Sequence, residues 1–194
     1  MAETPLTHAA CVPIAFVGTV LGPFFTQDPG NPSPQAQAPF AAIADLEAKQ
    51  AAADWPFVKA PVAQEALEEM QKGLSGKYAD GRAKAFAALS GAPALAAARD
   101  EDMAGWLAAH SITVSGAGDR AGLGAQLEVM AAVAQAGKPD LLQDFLCAHV
   151  LAHAPRALEE LEASTEHPFY HGLVLLTLET LQGMQRMFGL KPAR

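Results

Sequence analysis

Of the six histidines in the 194-residue chain, four fall in pairs spaced by four: His149 with His153 in HVLAH, and His167 with His171 in HPFYH. Residues four apart share one face of an α-helix, so either pair could present two imidazoles to a metal ion or a haem. The second pair straddles Pro168, a residue type favoured at the first helical position, so His167 is expected just outside its helix. A di-iron bundle would add Glu-x-x-His on facing helices, and neither pair has a Glu at that offset. Hydrogen-bonded or surface histidines are the competing reading of both pairs.

A second chemical signal is the run Gly116, Ala117, Gly118, Asp119, Arg120, Ala121, which satisfies the G-x-G-x-x-G/A spacing of a dinucleotide-binding turn. That chemistry needs a strand before the turn and a second strand after the following helix, with an acidic residue about twenty positions on. Here ITV is a minimal strand, and AQAGKPDLLQDF, another helix start, stands where the second strand belongs. A connection between helices, with glycines giving backbone freedom, is the simpler reading. No G-x-S-x-G elbow marks a serine nucleophile, VSG at Val114 to Gly116 has no catalytic context, and no Walker lysine motif is present.

The elements that must position these residues read as helices. AACVPIAFVGTVLGPFF is apolar, but Glu3 and the lack of a preceding Lys or Arg argue against a signal peptide's basic start. Pro13, Gly18, Gly22 and Pro23 argue against a membrane span, leaving a buried first helix. TQDPGNPSPQAQAP reads as a loop. Phe40, Ile43, Ala44 and Leu46 lie on one face of a helix ending near Asp54, and WPF follows as a break. Pro61 opens a one-sided helix through Ala66, Leu67, Met70 and Leu74. A further helix is expected through Phe86 and Leu89, followed by an irregular passage. Asp100 or Asp102 is placed to cap MAGWLAAH, burying Met103, Trp106 and Leu107. Pro139, Pro155 and Pro168 open the last three helices, and Gly189 closes the final one. No pair of alternating strands appears, so the class is all-α.

Composition narrows the function classes. A chain that is 51% hydrophobic and 18% charged can bury its own core as one domain. Its formal net charge of −8 argues against tracking a phosphate backbone and favours a basic peptide among charged partners. Two cysteines, Cys11 and Cys147, give neither a disulfide framework nor a cysteine zinc site, and a reducing cytoplasm fits. The aromatic residues sit mostly where a helical core wants them.

Taken in order, GAGDRAGLGAQLEVMAAV, LLQDFLCAHVLAHAPRALEELEAST and EHPFYHGLVLLTLETL resemble the TorD/DmsD family of redox-enzyme maturation chaperones. That family has an E-P-x-D-H-hydrophobic-G loop leading into a helix, a Phe- or Leu-rich helix carrying a His, and an H-P-F-Y opening to its last helix. VLGPFF and DWPF extend the resemblance, which is best matched from about Trp106 to Leu181. Asp119 and Gly122 match the loop. Arg120 stands where the family has His, Gly118 falls on the variable position before the Asp, and Ala117 replaces Pro. AFAALSGAPALAAARDEDMAGWL is also shorter than the family's aromatic, Pro-rich counterpart.

The resemblance implies an all-α, single-domain helical bundle of the TorD/DmsD type over residues 1–194. It implies a cytoplasmic, non-catalytic chaperone with no cofactor, which binds the twin-arginine signal peptide and apoprotein of a molybdopterin reductase until cofactor insertion is complete. Neither nucleic acid nor membrane insertion is expected, and a homodimer is left open. Asp119 is the expected arginine partner, beside Arg120 and Gly122, with Trp55, Phe57 and Trp106 as apolar contacts. Asp119 equally reads as the cap of a helix starting near Ala121. His149, His167, Pro168, Phe169 and Tyr170 are expected as structural motif residues, and no metal ligand is assigned. Two alternatives stand beside this: a metal- or haem-binding helical protein using the histidine pairs, and a divergent relative that has lost peptide binding and assembles another oxidoreductase.

Overall fold

The computed structural model describes residues 6–112 and 122–193. Among them every regular element is helical. In chain order they are α1 (His8–Thr26), α2 (Pro34–Asp45), α3 (Ala48–Asp54), α4 (Ala60–Gly73), α5 (Gly76–Ala79), α6 (Arg82–Ser90), α7 (Pro93–Ala97) and α8 (Met103–Ala109). There follow α9 (Leu123–Gln135), α10 (Pro139–Phe145), a π-helical turn (Leu146–Val150), α11 (Ala154–Glu162) and α12 (Pro168–Phe188). The all-α expectation holds.

Proline marks the start of half of the α-helices. Pro61, Pro139, Pro155 and Pro168 occupy the first or second helical position of α4, α10, α11 and α12, where the missing N–H has no helical partner to lose. Gly189, at φ 64°, ends α12 in the left-handed region that glycine enters without a Cβ clash.

The centre of the molecule is built on two close helix pairs. α1 lies against α9, where a Cβ at Gly18 would run into the Leu127 carbonyl and one at Gly124 into Phe25 and Thr26. α12 lies against α4, with Gly172 on the Ala66 carbonyl and Gly73 on the backbone of Phe169. Between them Phe24, Phe40 and Phe169 meet pairwise at ring separations of 5.3 Å. α1 is long and apolar enough to cross a membrane by length and composition. Its Ile14, Val17, Leu21 and Phe24 are buried in the common core, as the reading of a buried first helix expects.

Several local expectations are corrected. The segment expected as one helix up to Asp54 is two, because the side-chain amide of Gln71, on α4, donates to the carbonyls of Ile43 (3.1 Å) and Leu46 (2.7 Å) where α2 ends. The preceding loop is shorter than read: Ser33 caps α2 by accepting from the Ala36 N–H at 3.3 Å, and Pro34 opens the helix. The irregular passage after α6 contains α7, opened by Pro93. Neither Asp100 nor Asp102 caps α8 with its side chain, although Asp102 stands at the capping position. Trp106 is half-buried rather than buried.

Candidate functional site

Asp100 and His149 come from segments 49 residues apart and meet at 2.5 Å between Oδ2 and Nδ1, both buried. A carboxylate only accepts, so Nδ1 of His149 carries the proton and donates it. The second oxygen of Asp100 accepts the Asp102 N–H at 3.0 Å, which turns the chain into α8. Aromatic rings wall the pair: His149 stacks on Phe145 at 5.2 Å and meets Trp106 edge-on at 5.3 Å. Trp106 also contacts Phe145 and lies 4.3 Å from His110, whose Nδ1–H donates to the Trp106 carbonyl at 2.8 Å.

His149 sits inside a local departure from α-helical geometry. Residues Leu146–Val150 form a π-helical turn, and such a turn inserted in a helix re-aims the side chains that follow. His153 lies beyond the turn, at the capping position of α11 and outside any helical face shared with His149. The first histidine pair is therefore not the two-imidazole helix face that its spacing allowed. His167 precedes α12 as expected, while His171 lies within it. Among the described residues no three His, Cys, Asp or Glu side chains gather to hold a metal ion.

Asp119 and Arg120 lie outside the described residues. Gly122 stands at the capping position of α9. The flanks of residues 113–121 are fixed to the same region of the fold: Gln126, fully buried in the first turn of α9, donates to the Ala98 carbonyl at 2.7 Å, two residues before Asp100. On the other flank Trp106 holds α8 against Phe145 and His149, and Ser111 takes a positive φ of 54° just past the helix end.

The remaining expected apolar contacts lie elsewhere. Trp55 is buried, its indole N–H donating to Thr180 Oγ1 on α12 at 3.1 Å and its ring edge-on to Phe16 at 5.6 Å. Phe57, with φ 70°, presses its carbonyl on Gly183 of α12 and meets the Phe188 ring at 5.8 Å. Trp55 and Phe57 thus grip α12, whereas Trp106 belongs to the Asp100–His149 cluster.

At the other motif, Pro168, Phe169 and Tyr170 are buried in the first turn of α12. His167 Nε2–H donates to the Tyr78 carbonyl at 3.1 Å, and its ring lies 5.6 Å from that of Tyr170. Burial pushes the Tyr170 phenol far above its usual range, partly offset by the positive charge of Arg82. Beside His167 a cleft of about 450 Å³ opens between α6 and the turn joining α11 to α12. The cleft was not legible in sequence, because its walls lie far apart along the chain. Asp100 was missed as a partner for the same reason; the acidic DED run signalled only a cap.

Against known proteins, the chain matches no family model and no curated protein sequence.

Proposed function

We propose that this protein is a maturation chaperone that binds the twin-arginine signal peptide of a molybdopterin reductase and holds the client back until cofactor insertion is complete. The observation that carries the reading is the joint built by His149, a motif residue of the TorD/DmsD resemblance. Through Asp100, Trp106 and the Gln126–Ala98 bond, this joint ties together the two flanks from which residues 113–121 depart. Those residues include Asp119, the acidic position of the family's loop. A carboxylate that accepts a guanidinium makes the stronger, charge-assisted kind of hydrogen bond. The formal net charge of −8 adds attraction for a basic peptide at long range.

Within this reading the protein acts in the cytoplasm, without chemistry of its own, and releases an unmodified client. Co-expression with a molybdoenzyme precursor tests it. The precursor with an intact signal peptide co-purifies with the chaperone, and changing its two arginines to alanine, or Asp119→Asn in the chaperone, abolishes the association. Equal recovery of the intact and altered precursors would refute the reading.

A further inference from the structure

We propose that the outward face of α1 is a self-association surface, on which a second copy of this chain seats its own α1, antiparallel, across a two-fold axis level with Ile14. The assignment is independent of the chaperone reading, since it uses neither Asp119 nor a client. Among the described residues three large apolar side chains are exposed, Val12 (73%), Phe16 (48%) and Met187 (55%). Two of them stand one turn apart on α1. They belong to a longer row: Ala9, Val12, Phe16 and Thr19 are all exposed and are spaced three, four and three residues apart. That is the seam spacing of a helix packed along a second helix. The other face of α1, with Ile14, Val17, Gly18 and Leu21, is already buried in the core. A face left to solvent ordinarily carries charge, yet from His8 to Thr26 the helix holds no Asp, Glu, Lys or Arg.

Two properties of the row select a second copy as its occupant. The first is that it complements its own reverse. With two such helices antiparallel about the level of Ile14, Ala9 lies opposite Thr19 and Val12 opposite Phe16, so short side chains meet each other and each ring meets a branched aliphatic chain. The same patch then serves both subunits, as two-fold closure requires. The second property is charge. Each copy carries a formal −8, so two copies repel wherever their acids face one another, and an uncharged seam keeps acids out of the contact. Glu128 of α9 meets α1 at Gly22 and Thr26, beyond the seam. From Ala9 to Thr19 the row spans about 15 Å of helix. Permanent interfaces are larger, so the dimer is a reversible one.

Sedimentation velocity of the full chain, from low to high micromolar concentration, tests this. The wild type is expected to shift from monomer towards dimer as concentration rises. Val12→Lys, at a position with little packing to lose, and Phe16→Glu, which also gives up the edge contact with Trp55, are each expected to weaken the dimer at least tenfold. Ala104→Lys, on the exposed face of α8, leaves it within twofold. Helical circular dichroism equal to the wild type's separates lost association from lost folding. Mixing the two seam variants is the stricter measurement. In the antiparallel register the new cation of one chain faces the new carboxylate of the other, so association returns in the mixture while each variant alone stays monomeric. A wild type that is monomeric at every concentration, or a dimer indifferent to Val12→Lys, would overturn the proposal. A monomer that instead binds neutral lipid vesicles, and loses them on Val12→Lys, would assign the face to a membrane. No return of association on mixing would overturn the antiparallel seat.

Discussion

The Asp100–His149 pair shows how one contact organises a site. Both groups are buried, so removing either partner leaves the other without its counterpart in a medium that solvates charge poorly. His149→Ala is expected to cost about 3–5 kcal/mol, as for a broken buried pair. Chemical denaturation measures it, and a loss below about 1 kcal/mol would show that the pair is not the joint argued above. Tyr170 makes a second prediction. The unfolded phenol ionises near pH 10, but burial raises the folded value well beyond that. Its contribution to stability is therefore fully present below about pH 10 and is lost as pH rises further, because only the unfolded state releases the proton easily. Of the two tyrosines, one should ionise only together with alkaline unfolding in an ultraviolet titration. Full ionisation of both while the helical signal persists would contradict this burial. Neither residue's role was legible locally: HVLAH reads as a helical pair until the π-helical turn separates its members, and Asp100 reads as a cap until the fold brings His149 to it.

Among the elements, the α1–α9 and α12–α4 pairs depend on glycine for closeness rather than for flexibility. Gly18→Ala drives a methyl into the backbone carbonyl of Leu127, which cannot turn aside as a side chain would. Overpacking of this kind costs about 1–3 kcal/mol, and more where backbone must shift. Gly105, on α8, has open space where its Cβ would stand. Gly105→Ala should therefore raise stability by up to about 1 kcal/mol through helix propensity alone. Thermal unfolding of the two variants should move in opposite directions; a shared direction would contradict the packing described. These pairs also show what local sequence conveys. Proline at the starts of α4, α10, α11 and α12 and glycine after α12 mark ends that the chain itself dictates. The division between α2 and α3 depends on Gln71 reaching carbonyls from another helix, a tertiary contact that no local pattern carries. The start of α2 was legible, since Ser33 followed by Pro34 is a capping signal that the density of Pro, Gly and Asn around it obscured.

At the scale of the whole molecule, the chain forms an acidic all-α body, and the proposed reading rests on attraction between its net charge of −8 and a basic peptide. The all-α class was legible from helical periodicity and the absence of paired strands. The cleft was not, because α6 and the α11–α12 turn approach each other only in the folded chain. Calorimetric titration of the purified protein with a twin-arginine signal peptide, beside the same peptide with both arginines changed to alanine, tests the central claim most directly. Saturable binding of the first, weakened at least tenfold in the second and by added salt, is the predicted result. Equal affinity for both peptides, or no binding by a fully folded protein, would contradict it.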